Sequence, residues 1–266
     1  MNTIIAPIDF SEASNNALSF AAELSKRVSS LLVLVNILGK GEDEATALDK
    51  LKYTASDLKK SFGPDLKCES LIARGSLVSA LEKIIAARKP DLIVMGTKGA
   101  SGLKRVLVGS NTVNVLAKTK MPVLVIPDKA KFENFLRKGK NRVVLASDLS
   151  ELKNPDALDI LKEISLLIIK PKVRVLNVRP KNTKLDFLTS MERSALLSVF
   201  KPEIETQRST VFSSNVMSGI KFYLDKHKDT GLIAMIARDS GHLVQKHYTR
   251  EMASHTQFPL LVLHDH

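Results

Sequence analysis

Hydrophobic residues fall along the chain in two alternating periods. Thr3–Ile8 is a short apolar run closed by Asp9, the pattern of a strand buried on both faces. Ser11 then stands where a helix N-cap is needed. Ala17, Phe20, Ala21, Leu24 and Val28 follow at offsets 0, 3, 4, 7 and 11, which is one face of a helix. The same alternation continues. Leu31–Ile37 predicts a second strand, and Leu48, Leu51, Ala55 and Leu58 a second helix. Lys67–Ile72 predicts a third strand, and Leu77, Leu81, Ile84 and Ile85 a third helix. Asp91–Met95, Ser110–Lys118 and Pro122–Ile126 close the series as strand, helix and strand. Regular strand–helix alternation implies right-handed crossovers and a parallel sheet covered on both faces.

The pattern then repeats. TIIAPIDFS opens the chain and VVLASDLS recurs at Val143–Ser150, with Asp9 and Asp148 139 residues apart. Leu31–Ile37 has a counterpart in Lys172–Val178, Asp91–Thr97 in Gly231–Ala237, and Met121–Pro127 in Phe258–His264. Four collinear apolar blocks are poorly explained by chance. The reading is an α/β protein of two tandem, open, parallel five-stranded sheets with helices on both faces. Its expected boundaries are a domain over 1–127, a basic linker over 128–141 and a second domain over 142–266. In the second copy, Asn154 and Pro155 form an N-cap and first-position pair opening a helix with Leu158, Leu161 and Ile164 on its apolar face. Further helices are expected near Asp186–Val199 and Met217–His227.

Composition narrows the class. The chain has 266 residues, 44% of them hydrophobic and 26% charged, which is ordinary globular usage. The single cysteine, Cys68, excludes an intramolecular disulfide framework and a cysteine-rich zinc site, and fits a reducing compartment. Its strand-like surroundings suit a small buried hydrophobe better than a nucleophile. No apolar run reaches the roughly 18–20 residues of a membrane helix, and MNTIIAPIDF has no basic leader, so a soluble cytoplasmic protein without a membrane partner is expected. The net charge is +12. Residues 1–140 carry 22 basic and 14 acidic side chains (+8) and the rest 18 and 14 (+4), with no long block of like charge. Such diffuse basicity with 5% aromatic residues is a weak signal for nucleic acid.

Two features would meet at the carboxyl ends of the strands, where open α/β sheets bind ligands. One is Asp9. The other is the loop Met95-Gly96-Thr97-Lys98-Gly99, continuing to Gly109-Ser110-Asn111. Glycines allow positive φ and close approach of a ligand to the backbone, and the N–H groups of such a loop can form an anion nest. Gly109-Ser110 precedes a predicted helix, whose N-terminus favours phosphate. Ser110 and Asn111 add side-chain hydrogen bonds, and Lys98, Lys104 and Arg105 place cations nearby. Neither GxxxxGK[ST] nor GxGxxG occurs, which disfavours the P-loop and dinucleotide-binding readings.

This spacing, in this strand–helix order, resembles the universal stress protein family. The family's nucleotide motif is G-x2-G-x9-G-[S/T], and Gly96, Gly99, Gly109 and Ser110 fill every position. API followed by Asp9, the VNI ending the second strand, and MPVLVIP at the last strand add to the likeness. It covers residues 1–127 and extends more weakly over 142–264. The resemblance implies an adenine nucleotide alpha hydrolase-like, Rossmann-like fold binding ATP or AMP, with Mg2+ as a candidate accompanying ion. It implies that Asp9 contacts the ribose or adenosine side and that Ile37 lines the adenine pocket. Met95, Gly96, Lys98 and Gly99 would follow the ribose–phosphate path, and Gly109, Ser110 and Asn111 would hold phosphates. Family members pair through the last strand. Pro122–Ile126 and Pro259–Leu263 would therefore make an intramolecular pseudo-dimer, open to further pairing as a homodimer.

The second copy departs from the motif. From Met95 to Pro122 is 27 residues and from Ile236 to Pro259 is 23, so four residues are missing from loop and helix. Gly241 is the only glycine left there, Lys246 and His247 stand near the Gly-Ser position, and Asp148 is retained. A structural or regulatory domain without nucleotide is expected. All six histidines lie in the last 40 positions. His242 and His247 flank the degenerate loop, and His264-Asp265-His266 reads as a frayed tail. No metal site and no catalytic residue is assigned: there is no GxSxG elbow, and Asp9 has no carboxylate partner. The expectation is a stress or signalling module that binds rather than turns over its nucleotide. The alternatives are an adenine-nucleotide hydrolase or nucleotidyl transferase on a related fold and, third, a nucleic-acid-associated protein.

Overall fold

The computed structural model describes residues 1–97, 109–136, 139–181, 197–238 and 243–265. The chain divides into two compact units, one of Met1–Phe132 with Ala253–Gln257, the other of Glu133–Met252 with Phe258–His266.

In the first unit, β1 (Thr3–Pro7), β2 (Leu31–Leu38), β3 (Cys68–Arg74), β4 (Leu92–Gly96) and β5 (Val123–Ile126) run in the order β3-β2-β1-β4-β5. Every pairing is parallel. The connections are α1 (Glu12–Val28), α2 (Glu44–Phe62), α3 (Leu77–Arg88) and α4 (Ser110–Lys118). Helix α1 touches α2, and α3 touches α4. Right-handed crossovers put the first pair on one face of the sheet and the second on the other, because the chain reverses direction across the sheet after β3. Isoleucines 4, 5 and 93, with Leu32 and Leu34, are fully buried between them.

Local chemistry sets the helix ends. Ser11 caps α1 by accepting from the Ser14 N–H at 3.2 Å, and Asp43 caps α2 by accepting from the Thr46 N–H at 2.7 Å. Glu12 sits in the first turn of α1 and Lys26 and Arg27 in its last, complementing the helix dipole. The chain leaves α1 through Ser29 in the left-handed region, φ 56°, whose N–H returns to the Lys26 carbonyl.

The second unit repeats the plan. Strands β6 (Arg142–Ala146), β7 (Lys172–Arg179), β8 (Glu205–Phe212), β9 (Thr230–Arg238) and β10 (Leu260–Asp265) run β10-β9-β6-β7-β8, all parallel. The helix expected at Asn154–Pro155 starts as a 3-10 turn, Pro155–Leu158, before α6 (Asp159–Leu166). The Asn154 side chain accepts from the Asp156 N–H only two residues on, which tightens the opening turn. Helices α7 (Val216–Lys226) and α8 (Leu243–His255) follow. The helix expected near Asp186–Val199 lies largely outside the described residues.

Two expectations change. The segment 128–141 is not bare linker. It carries α5 (Phe132–Leu136), and the Phe132 ring stands edge-on to Phe20 at 4.6 Å, under the Arg27 guanidinium at 5.6 Å. His264 and Asp265 do not fray. They continue β10 in register with Ala237 and Arg238 and are buried, because β9 supplies their backbone partners. No helix among the described residues is long and apolar enough to cross a membrane.

Phe132→Ala removes a side chain only 8% exposed and should destabilise the first unit by about 3 kcal/mol, read by chemical denaturation. Burial pushes the Cys68 thiol up to about 11, against a smaller opposing pull from Lys59. The reactive thiolate is scarce at neutral pH, so alkylation of the folded chain at pH 8 should be slower than that of the urea-unfolded chain.

Candidate functional site

Strand β1 is the switch point: it pairs with β2 on one side and β4 on the other, and the chain leaves it in opposite directions across the sheet. A crevice therefore opens beyond its carboxyl end. There the chain turns from strand to helix within four residues, Ile8 to Ser11. Phe10 takes a left-handed φ of 59°, a conformation that costs a non-glycine residue on the order of 1 kcal/mol. The Asp9 carboxylate braces the turn, with Oδ1 accepting from the Ser11 N–H at 3.1 Å and the Ser11 hydroxyl at 2.6 Å. The buried Asn36 amide at the end of β2 donates to the Ile8 carbonyl at 2.8 Å.

The second wall comes from β4 and α4. Gly96 needs no unusual φ. A Cβ there would lie 2.7 Å from the Ala13 carbonyl oxygen, so glycine lets β4 meet the first turn of α1. The Thr112 hydroxyl donates to the Gly96 carbonyl at 2.8 Å, and the Gly109 N–H donates to the Thr97 carbonyl at 2.7 Å. These bonds hold the start of α4 against the end of β4. The Gly109 φ is −56°. As N-cap, Gly109 makes no side-chain hydrogen bond to the first turn of α4.

The cavity so formed measures about 250 Å³. It brings together five of the nine expected site residues, Asp9, Ile37, Met95, Gly96 and Asn111. Gly109 and Ser110 stand at the start of α4 outside the lining. Lys98 and Gly99, with Lys104 and Arg105, lie outside the described residues. The sequence reading missed Gly39, Gly75, Leu77 and Thr112. Gly39 and Gly75 immediately follow β2 and β3, and the carboxyl-end rule that singled out Asp9 applies equally to them. Gly75 has φ +113° and open space where a Cβ would stand.

The second unit carries the same turn with different surroundings. Asp148 accepts from the Ser150 N–H and hydroxyl at 3.1 and 3.0 Å, Leu149 has φ 68°, and Asn177 donates to the Ser147 carbonyl at 2.9 Å. Sheet register corrects the expected correspondence. Ile5 pairs with Ile93 as Val144 pairs with Ile233, so Met235, not Ile236, matches Met95, and Ile236 stands at the position of Gly96. Counted from Met235, three residues are missing rather than four. Beside the turn lies Arg238, 8% exposed. Its Nη2 donates to the Ser150 carbonyl at 2.6 Å and lies 3.7 Å from Asp148, and its Nε lies 3.6 Å from Asp265. Asp265 in turn accepts from the Asn154 N–H at 2.9 Å. No signal in the sequence joined Arg238 to Asp265. Among the described residues no group of three His, Cys, Asp or Glu side chains could hold a metal ion.

Comparison with known proteins agrees with this architecture. A family model described as the universal stress protein family matches residues 1–127. Universal stress protein MJ0577 of Methanocaldococcus jannaschii is 31% identical over 153 residues, covering 47% of this chain and 94% of that protein. Universal stress protein MJ0531 of the same organism is 31% identical over 144 residues, covering 46% of this chain and 80% of that protein. The crystal structure of a universal stress protein from Archaeoglobus fulgidus superposes with a TM-score of 0.70 at 20% identity, covering 100% of this chain and 99% of that one, which is a likeness of fold. With the repeated β-α units and the strand-end cavity, these matches establish that the chain belongs to the universal stress protein family.

Proposed function

We propose that the first unit, residues 1–127, binds an adenine nucleotide, ATP or AMP, and that the chain serves as a nucleotide-binding module in a stress or signalling response. The observation that carries this reading is the cavity at the switch point, which combines three kinds of wall in one place. Ile37, Leu77 and Met95 give an apolar side that suits a purine ring. Asp9 puts a carboxylate, a group that accepts from ribose hydroxyls, in the crevice wall. Asn111 and the N-terminus of α4 suit phosphate oxygens. Lys98 and Gly99 complete the phosphate side in this reading. Mg2+ would neutralise charge on the phosphates when bound.

Binding rather than turnover is the output. Among the described lining residues Asp9 is the only acid, and it braces the strand-to-helix turn through Ser11. The second unit, residues 142–266, lacks the glycine motif and takes no nucleotide in this reading.

Isothermal titration with ATP should give one site per chain. Asp9→Asn keeps an acceptor for Ser11 and removes the charge, and should weaken ATP about tenfold while leaving the melting temperature of the free chain nearly unchanged. Gly109→Lys should abolish the site, and a variant that still binds one ATP per chain removes the one-site reading. In a single-turnover assay the bound ATP should be recovered intact, whereas stoichiometric ADP or AMP would establish a hydrolase instead.

A further inference from the structure

The second unit has its own cavity, and its chemistry differs from that of the first. About 390 Å³ lies beyond the carboxyl ends of β6, β7 and β9. Leu176, Val178, Val216, Ile220, Met235 and Ile236 line it. Sheet register and the helix caps match it to the first unit wall by wall. Val178 corresponds to Ile37, Val216 after its Asn215 cap to Leu77 after Ser76, and Met235 to Met95. The apolar half of the cavity is therefore kept.

The polar half is not. Ile236 replaces Gly96, so a branched side chain lines the cavity where the first unit presents bare backbone. Asp148 keeps its place, but Arg238 lies against it. That guanidinium also faces Asp265 and donates to the Ser150 carbonyl, all within 3.7 Å. The Arg238 Nη2 and Nε are directed at protein oxygens. Among the described residues the rest of the lining is mainly aliphatic, with the hydroxyl groups of Ser147 and Tyr248 added.

We infer that the second unit binds an uncharged, largely apolar small molecule in this cavity. A cavity of this size with mostly apolar walls and few polar groups has the composition of a small-molecule site. The walls that would hold a purine in the first unit hold an apolar body here. The second copy lacks the glycine motif on which the phosphate side of the first unit rests. This goes beyond the nucleotide reading of the first unit and does not depend on it.

The probe is N-phenyl-1-naphthylamine, an uncharged apolar fluorophore, titrated into the full chain. A saturable rise in emission at one equivalent per chain is expected, unchanged by saturating ATP. Val216→Trp and Val178→Trp each place an indole in the cavity and should weaken the probe about tenfold or more while leaving ATP binding as it was. Methyl spectra of the unsubstituted chain give a readout that needs no variant: the probe should shift Ile220 and Ile236 and leave Ile37 in place. The inference is overturned by any of three results: no saturable binding, displacement of the probe by ATP, or methyl shifts confined to Ile37. A chain that takes the probe at Ile220 and Ile236 but no ATP upholds this inference and removes the nucleotide reading.

Discussion

Each unit depends on one constraint, the burial of its first strand between two parallel neighbours. Strand β1 is flanked by β2 and β4, and β6 by β7 and β9. A strand so placed spends its backbone groups on both sides and buries both faces, so its next residues must leave at the carboxyl end. The turn there carries a non-glycine residue at positive φ, Phe10 and again Leu149. A carboxylate one residue earlier braces it by accepting from the serine two residues on, Asp9 from Ser11 and Asp148 from Ser150. The strand-end carboxylate is thus structural before it is anything else, and a ligand site can use it because the crevice is already there.

From that shared frame the two units diverge through few residues. Glycine at position 96 lets α1 approach β4. In the second copy, isoleucine at 236 lines the space with hydrocarbon and arginine at 238 lies against the strand-end carboxylate. The same walls in the same register thereby present a polar crevice in one copy and an apolar one in the other. The excess positive charge of the chain, +12, is not explained by either crevice.

Much of the fold was legible in the sequence because its signals are local. Apolar runs of strand length, helical faces such as Ala17 to Leu24, and caps at Ser11 and Asn154 depend on neighbours a few residues away. The repeat was legible for the same reason, each strand carrying its own pattern. Half of the candidate site was legible as well, since Asp9, Ile37, Met95, Gly96 and Asn111 follow strands whose order the crossover rule constrains. Gly39, Gly75 and Leu77 line the same crevice, and the carboxyl-end rule that reached Ile37 on β2 was not extended to the residues that follow β2 and β3. Similarity of the blocks Asp91–Thr97 and Gly231–Ala237 already sets Met95 against Met235, and backbone pairing upholds that match against the loop count taken from Ile236.

By itself, then, the sequence determined an α/β chain of two related halves, the positions of strands and helix starts, and a carboxylate and glycine loop at strand ends. Tertiary structure decided how those pieces are used. It spent the Gly109 N–H on Thr97, made Gly96 a packing necessity against Ala13, and ordered His264 and Asp265 on β9. It also joined Arg238 to Asp148 and Asp265, which lie 90 and 27 residues away along the chain. The reason is physical. Propensity and periodicity act over a few residues, whereas hydrogen-bond partners and charge pairs are chosen by whatever the sheet brings within about 3–4 Å.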